Sequence, residues 1–169
     1  MHIASLKPAV FTLSMLALAA CSGYGPRTHD SQGRAVATPA MATTVFMNVC
    51  FKTGANRAGV IRAINRDKNI SLSGDSADSF ISAGHKTHSI DVTLLGSSGV
   101  CSVSFDNGES GQDAASKAAM LLLPLVGAKS MGGSPGGGQI NLKTRKGMVV
   151  IANGAKVGQN GAILSLFKR

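Results

Sequence analysis

The side chains best suited to chemistry by type and spacing are His85, His88 and Asp91. Imidazole nitrogens and a carboxylate are ligands that zinc accepts, and the pattern His-x-x-His-x-x-Asp would assemble them if the segment were helical. A helix is not favoured, because Gly84 precedes the group and a strand-like segment follows it. Exposed loop histidines are therefore the default interpretation, and a metal site is the alternative.

The sequence has no pattern typical of a hydrolase or a nucleotide-binding enzyme. It lacks Gly-x-Ser-x-Gly, and its only glutamate, Glu109, falls on a predicted loop without a second carboxylate beside it. The glycine-rich stretch Gly127–Gly138 leads into a strand, whereas a phosphate-binding loop opens a helix with Gly-Lys-Ser/Thr. We therefore predict no catalytic residues and no cofactor, with an enzyme built on His85, His88 and Asp91 as the alternative.

The chain is strongly basic, with 17 Lys and Arg against 8 Asp and Glu and a formal net charge of +9. Such a charge favours anionic partners, and a solvated basic surface without a ligand is the alternative. The candidate contacts lie on a predicted helix and near a predicted turn: Arg57, Arg62, Arg66, Lys143, Arg145 and Lys146. Nucleic acid and a sugar-stacking groove are not expected, because the chain has no Trp and one Tyr.

The first twenty residues have the three parts of an export signal. Lys7 supplies a weakly positive start, the run 9–20 is apolar, and small residues close it. About twelve helical residues reach roughly 18 Å, short of the roughly 30 Å of a hydrocarbon core, so a permanent spanning helix is not expected. We predict that residues 1–20 are a cleaved signal peptide.

The end of this signal, Leu18-Ala19-Ala20-Cys21, resembles the lipobox of bacterial lipoproteins. The resemblance implies that the thiol of Cys21 receives a diacylglycerol, that the signal is cut before it, and that the new amine is acylated. Two or three acyl chains on one residue anchor stably, whereas one chain binds marginally. Ser22 resembles the residue of lipoproteins that are passed to the outer membrane. Ordinary cleavage at Ala17-Leu18-Ala19 or Ala40-Met41-Ala42, without lipid, is the alternative.

With Cys21 assigned to lipid, one pair of cysteines remains, Cys50 and Cys101. In an oxidising envelope compartment an isolated pair is most simply a disulfide, and two buried free thiols are the alternative. The bond would close a loop of about fifty residues, which constrains the unfolded chain by roughly 4 kcal/mol in the chain-entropy model. The cysteines are too far apart for a C-x-x-C redox motif and too few for a structural zinc site.

The first half of the chain predicts a tether followed by two helices. Residues 21–42 form the lipidated cysteine and a flexible tether, because they are rich in Gly, Pro, Ser and Ala and have no apolar period. A helix is predicted from Thr43, with a strand as the alternative because the segment starts with the β-branched Thr-Thr-Val. A second helix is predicted over Arg57–Asp67 after the capping residue Asn56. The first helix has one apolar face, made of Val45, Phe46, Val49 and Cys50.

The second half predicts mostly strands. Ser89–Leu95 and Val100–Phe105 alternate apolar residues around Gly-Ser-Ser-Gly, which predicts a β-hairpin. A third helix over Ala114–Leu123 is apolar nearly all round, which predicts deep burial, and Pro124 is expected to end it. Further strands are predicted at 139–144, 148–152 and 162–167, and Gly127–Gly138 as a flexible loop.

These elements predict one α+β domain over residues 43–169, with an N-terminal helical hairpin, a mainly antiparallel sheet of about five strands and one buried helix. The favoured function is a non-catalytic accessory or binding domain of an envelope lipoprotein, held at the outer membrane and facing the periplasm or the cell surface. Expected partners are the bilayer, through acylated Cys21, and other envelope proteins or anionic surface polymers. The alternatives are a basic domain that binds anionic lipid or lipopolysaccharide, and an envelope enzyme or metal-binding protein.

Overall fold

The computed structural model describes residues 27–73, 79–96, 98–128, 130–134, 138–154 and 160–168. The predicted signal peptide, Cys21 and Ser22 lie outside these ranges. The described residues form an α+β fold, in which three α-helices and a π-helical segment pack on one face of an eight-stranded antiparallel sheet.

The helical layer begins with α1, Pro39–Val45, which continues as a π-helical segment, Phe46–Phe51. The helix starts four residues earlier than predicted, inside the predicted tether, because the Thr38 side chain accepts a hydrogen bond from the Met41 N–H and Pro39 occupies the first turn. The second helix, α2, spans Arg57–Arg66 after the Asn56 cap. The predicted apolar face of the first helix is confirmed, since its four members are at most 8% exposed.

The sheet contains eight strands where about five are predicted. They are β1 Ile70–Ser73, β2 Phe80–His85, β3 Ile90–Leu95, β4 Val100–Asp106, β5 Ser130–Ser134, β6 Gln139–Lys143, β7 Gly147–Asn153 and β8 Gly161–Lys168. The hairpin of β3 and β4 is confirmed. The three strands that are not predicted are β1, β2 and β5. β2 ends in Ala-Gly-His and β5 is Ser-Met-Gly-Gly-Ser, which β-propensity disfavours.

The strand order β1-β2-β3-β4-β8-β7-β6-β5 divides the sheet into two four-stranded meanders, β1–β4 and β5–β8. They join where β4 pairs with β8. A third helix, α3, spans Gly111–Leu125 between the meanders and packs against α1, β7 and β8. Pro124 lies inside its last turn instead of ending it.

The predicted deep burial of α3 is wrong for its outer face. Its inner face is buried and rich in alanine, with Leu122 fully buried. The exposed residues on its outer side are Met120 at 77%, Leu121 at 40%, Leu123 at 41% and Leu125 at 56%. An apolar helix that packs on a sheet can bury only one face, and no described element covers the other.

Cys50 of the π-helical segment and Cys101 of β4 lie at disulfide distance, with Cα atoms 5.4 Å apart. Both are fully buried. The pair joins the helical layer to a central strand of the sheet, and its distance fits the predicted disulfide.

Residues 27–37, here called the strap, cross one end of the sheet. Backbone hydrogen bonds hold them there: the Ala35 N–H donates to the Thr87 carbonyl, and the Ala37 N–H donates to the Asp106 carbonyl. We call this the strap end of the sheet. The opposite end, with the β3–β4 turn at Gly99 and the β6–β7 turn 144–146, is the turn end.

Candidate binding surface

The sheet face opposite the helices, here called the open face, is crossed by no described element beyond the strap. Strand register sorts its side chains into rows, because directly opposed residues of antiparallel strands point to the same side. In the row nearest the turn end, the five residues on β2, β3, β4, β8 and β7 are apolar, and we call them the apolar band. Its members, each directly opposite the next, are Phe80, Leu95, Val100, Phe167 and Met148.

The apolar band is exposed. Phe80 is 47% exposed, Leu95 46%, Phe167 43% and Met148 39%. Five neighbouring strands give the band a length of roughly 19 Å at the usual spacing between strands. Large apolar side chains that lie side by side at a protein surface mark a contact site.

The next row of the open face consists of hydroxyl residues. Its members, each opposed to the next, are Ser73, Ser82, Thr93, Ser102 and Ser165. The Ser102 and Ser165 hydroxyl oxygens are 2.8 Å apart and hydrogen-bonded. This hydroxyl row lines a groove of about 740 Å³, together with Phe80 and Arg34. Its hydroxyls can both donate and accept hydrogen bonds to a ligand.

In the row nearest the strap end, an ion pair joins the strap to β3. Arg34 Nη1 lies 2.8 Å from Asp91 Oδ1, and Nη2 lies 3.1 Å from Oδ2. Gly84, opposite Asp91 on β2, leaves room for the guanidinium, since a Cβ there would lie 3.4 Å from Arg34 Nη1. The hydrogen bond to Asp91 is the main reason that the pKa of Arg34 is raised, against the opposing effect of burial.

The same guanidinium holds Asp30 within the strap. Arg34 Nε donates to Asp30 Oδ2 at 2.8 Å, and the Asp30 side chain is only 4% exposed. Burial would raise the pKa of Asp30, but hydrogen bonds from the Arg34 backbone N–H and side chain outweigh it and lower the pKa. Arg34 therefore forms ion pairs with two carboxylates at once and balances the charge of one of them.

His85, His88 and Asp91 do not converge on one point. The two imidazole rings meet edge to face with centroids 5.1 Å apart, but both Asp91 oxygens are held by Arg34. His85 Nδ1 accepts hydrogen bonds from the backbone N–H groups of Thr87 and His88, and burial, together with the charge of His88, lowers its pKa. Within the described ranges, no three His, Cys, Asp or Glu side chains are grouped to hold a metal ion.

The predicted anion-binding cations fall into separate places. Arg62 and Arg66 line a groove of about 410 Å³ between the π-helical segment and α2, together with Lys52. Arg57 lies beside Gly96 at the turn end.

The cations around the β6–β7 turn differ from one another in their contacts. Lys143 and Arg145 are exposed at the turn end. Lys146 folds back, and its Nζ donates to the carbonyls of Phe51 and Lys52 at 2.9 and 3.0 Å. Lys146 therefore closes the C-terminus of the π-helical segment.

No helix in the described part of the chain is both long enough and apolar enough to cross a bilayer. Comparison with protein-family models, with curated proteins and with solved structures found no match to this chain. The candidate surface therefore has to be interpreted from its own geometry. Sequence reasoning does not identify the apolar band, because its members lie between residues 80 and 167 and meet only through strand register.

Proposed function

We propose that this chain is a bacterial envelope lipoprotein, anchored through acylated Cys21, whose described domain is a non-catalytic binding module. The open face is its contact surface. The observation that carries the binding role is the apolar band, since four of its five side chains stay 39–47% exposed in a domain whose other sheet face is packed against helices. Exposed apolar rows beside polar ones are typical of surfaces that bind.

The contacts of the strap limit the distance between the anchor at Cys21 and the folded domain. Arg27, the first described residue, is paired with Asp106 at 3.4 Å. Gly108 is needed at this contact, because a Cβ there would overlap the Arg27 carbonyl oxygen. Cys21 is six residues earlier, which an extended chain covers in at most about 20 Å. An acylated Cys21 would therefore keep the strap end close to the bilayer surface.

The cysteine pair fits the same location. In an oxidising envelope compartment we expect Cys50 and Cys101 to be covalently bonded, because two buried thiols at this distance form a disulfide when an oxidant is present. The bond would fix the helical layer to β4 and leave the open face unaffected.

Fractionation of cells that produce the Cys21→Ala variant tests the anchor. We expect the variant to leave the membrane fraction while its domain remains folded. The matched control is the Cys50→Ala/Cys101→Ala variant, which should stay in the membrane fraction. Recovery of Cys21→Ala in that fraction would contradict the lipid anchor.

Photo-crosslinking in intact cells tests the binding surface. A photoreactive side chain at position 95, in the apolar band, should form adducts with a partner, and one at position 120, on the outer face of α3, should not. Both positions are exposed apolar sites, so non-specific hydrophobic contact would label them equally. Absence of adducts at position 95 would contradict the assignment of the open face.

A second candidate function is binding of an acidic polymer in the groove lined by Arg62 and Arg66. These two arginines are one helical turn apart, where like charges destabilise a helix, and no ion pair is formed by either with a described acid. An anionic ligand would relieve that repulsion. Lipopolysaccharide binding that falls steeply with salt, and falls again in Arg62→Gln/Arg66→Gln, would support it, and salt-independent binding would exclude it.

A further inference from the structure

The charges of the described residues are segregated along the strands; Asp75 and Asp78 lie outside the described ranges. Six of the eight acidic residues are described, and all six lie at or towards the strap end: Asp30, Asp67, Asp91, Asp106, Glu109 and Asp113. Four of them are ion-paired there, two with Arg34, one with Arg27 and one with Lys117. Lys68 and Lys86 also lie towards this end, so the described cations nearly balance the described acids and little excess charge remains.

The turn end is basic. Among the described residues, the cations around it that carry the argument are Lys52, Lys143, Arg145, Lys146 and Lys168, and no described acid lies among them. Lys143 is directly opposite Met148, so it extends the row of the apolar band on the next strand. One continuous surface thus combines exposed Phe, Leu, Val and Met side chains with exposed cations.

We infer that the turn end and the apolar band dock on an anionic phospholipid bilayer, as a second membrane contact separate from the acyl anchor. The cations meet the negative headgroups, and the apolar band enters the boundary with the acyl chains. This inference names the partner of the open face and so rests on the proposed binding role. Lys and Arg beside large apolar side chains are the composition by which proteins hold to anionic membrane surfaces.

Charge distinguishes a bilayer from the other occupants of this surface. A second copy that paired band with band would bring two basic turn ends together, which like-charge repulsion opposes. A polyanion without apolar groups would neutralise Lys143 and Arg145 but leave the band in water. An anionic bilayer would neutralise the cations and also remove the apolar band from water.

The two contacts are compatible in space. A strand of seven residues is roughly 23 Å long, and the reach from Arg27 to Cys21 is at most about 20 Å. With the strap end tied near the bilayer, the domain can lie with its strands along the membrane and its open face towards the headgroups. In that orientation the hydroxyl row faces phosphate and glycerol oxygens, to which Ser and Thr can donate.

Tryptophan fluorescence can detect the contact between the apolar band and the bilayer. The chain contains no native tryptophan, so an introduced one is the only source of the signal. We would use the predicted mature chain, residues 21–169 without the apolar signal, with Cys21→Ser so that no acyl group is attached, and add Leu95→Trp or, as the matched control, Met120→Trp. With vesicles of phosphatidylethanolamine and phosphatidylglycerol, the emission of the Trp at position 95 should shift to shorter wavelength and that at position 120 should not. Neither should shift with phosphatidylcholine vesicles.

Vesicle cosedimentation in the same Cys21→Ser background measures how much the apolar band and the cations each contribute to membrane binding. Leu95→Ser/Phe167→Ser should lower partitioning at least about tenfold, since two large apolar side chains are removed. Lys143→Gln and Arg145→Gln should each lower it roughly fivefold at low salt. Met120→Ser and Lys68→Gln, which change an apolar and a basic residue elsewhere, should have no effect.

Three results would overturn the inference: equal shifts for both tryptophan positions, partitioning that the band variant does not change, and light scattering that shows a band-dependent dimer instead of vesicle binding. Because the protein in the vesicle assays carries no acyl group at position 21, failure of these assays would leave the Cys21→Ala fractionation result intact. If fractionation contradicted the anchor while the vesicle assays succeeded, docking would stand without the lipoprotein proposal.

Discussion

Arg34 of the strap and Asp91 of β3 form a two-point ion pair, with Nη1–Oδ1 at 2.8 Å and Nη2–Oδ2 at 3.1 Å. The same guanidinium holds Asp30 through Nε. This arrangement fixes the segment nearest the predicted anchor to the edge of the open face. The strap is therefore part of the folded domain and sets how far the domain can lie from Cys21.

We predict that Arg34→Gln lowers the free energy of unfolding by about 2 kcal/mol, because it leaves the buried Asp30 carboxylate without its charged donor. Denaturant titration of the variant against wild type measures this loss. The matched control is Arg66→Gln, an exposed arginine without an ion pair to a described acid, which should change stability by less than about 0.5 kcal/mol. Equal losses in both variants would contradict the role given to Arg34.

The pH dependence of stability should follow the lowered pKa of Asp30. Its contribution is complete above the unfolded-state pKa of about 3.9 and is lost as pH falls through the lower folded-state value. In Arg34→Gln the burial of Asp30 and the backbone N–H donors of Gln32 and Arg34 remain, while the charged side-chain donor is lost, so the loss of stability should begin at higher pH. The free energy of unfolding of wild type and Arg34→Gln, measured from neutral pH to about pH 2, would show this difference in pH dependence. Identical pH dependence in the two proteins would contradict the prediction.

The Cys50–Cys101 pair should contribute strongly to stability. We expect Cys50→Ala/Cys101→Ala to lower the free energy of unfolding by roughly 4 kcal/mol, and a reductant to destabilise wild type but not the variant. Thermal unfolding with and without reductant provides the comparison. Two titratable thiols in unreduced protein from the cell envelope would contradict this prediction.

Thr43 offers a test of the α1–α3 contact. It is 3% exposed, and its hydroxyl has no hydrogen-bond partner among the described residues. Thr43→Val keeps the shape and removes the unsatisfied group, so stability should be unchanged or rise by up to about 1 kcal/mol. Thr43→Ser keeps the hydroxyl and loses the methyl group, and it should be destabilising by about 1 kcal/mol. A large loss in Thr43→Val would mean that the hydroxyl does have a partner.

Local sequence patterns predict much of the fold but not the candidate site. The β3–β4 hairpin follows from alternation around a Gly-Ser-Ser-Gly turn, and the apolar face of the first helix follows from its spacing. The apolar band depends on the pairing of β4 with β8, which puts Val100 opposite Phe167. Residues so far apart in sequence carry no local signal of their register.

The outer face of α3 shows a second limit of prediction from local sequence patterns. A helix that is apolar all round predicts burial, yet the sheet accepts only its alanine-rich side and Met120 stays 77% exposed. Similarly, Gly132 and Gly133 in β5 have no side chains to alternate, so that strand is defined by backbone pairing with β6 alone.

Mass spectrometry of the N-terminal peptide of the protein isolated from membranes tests the central claim most directly. The account predicts a chain that begins at Cys21, with a diacylglyceryl group on its sulfur and an acyl group on its amine. A chain that begins at position 20 or 43, or a Cys21 that carries a free thiol, would contradict it.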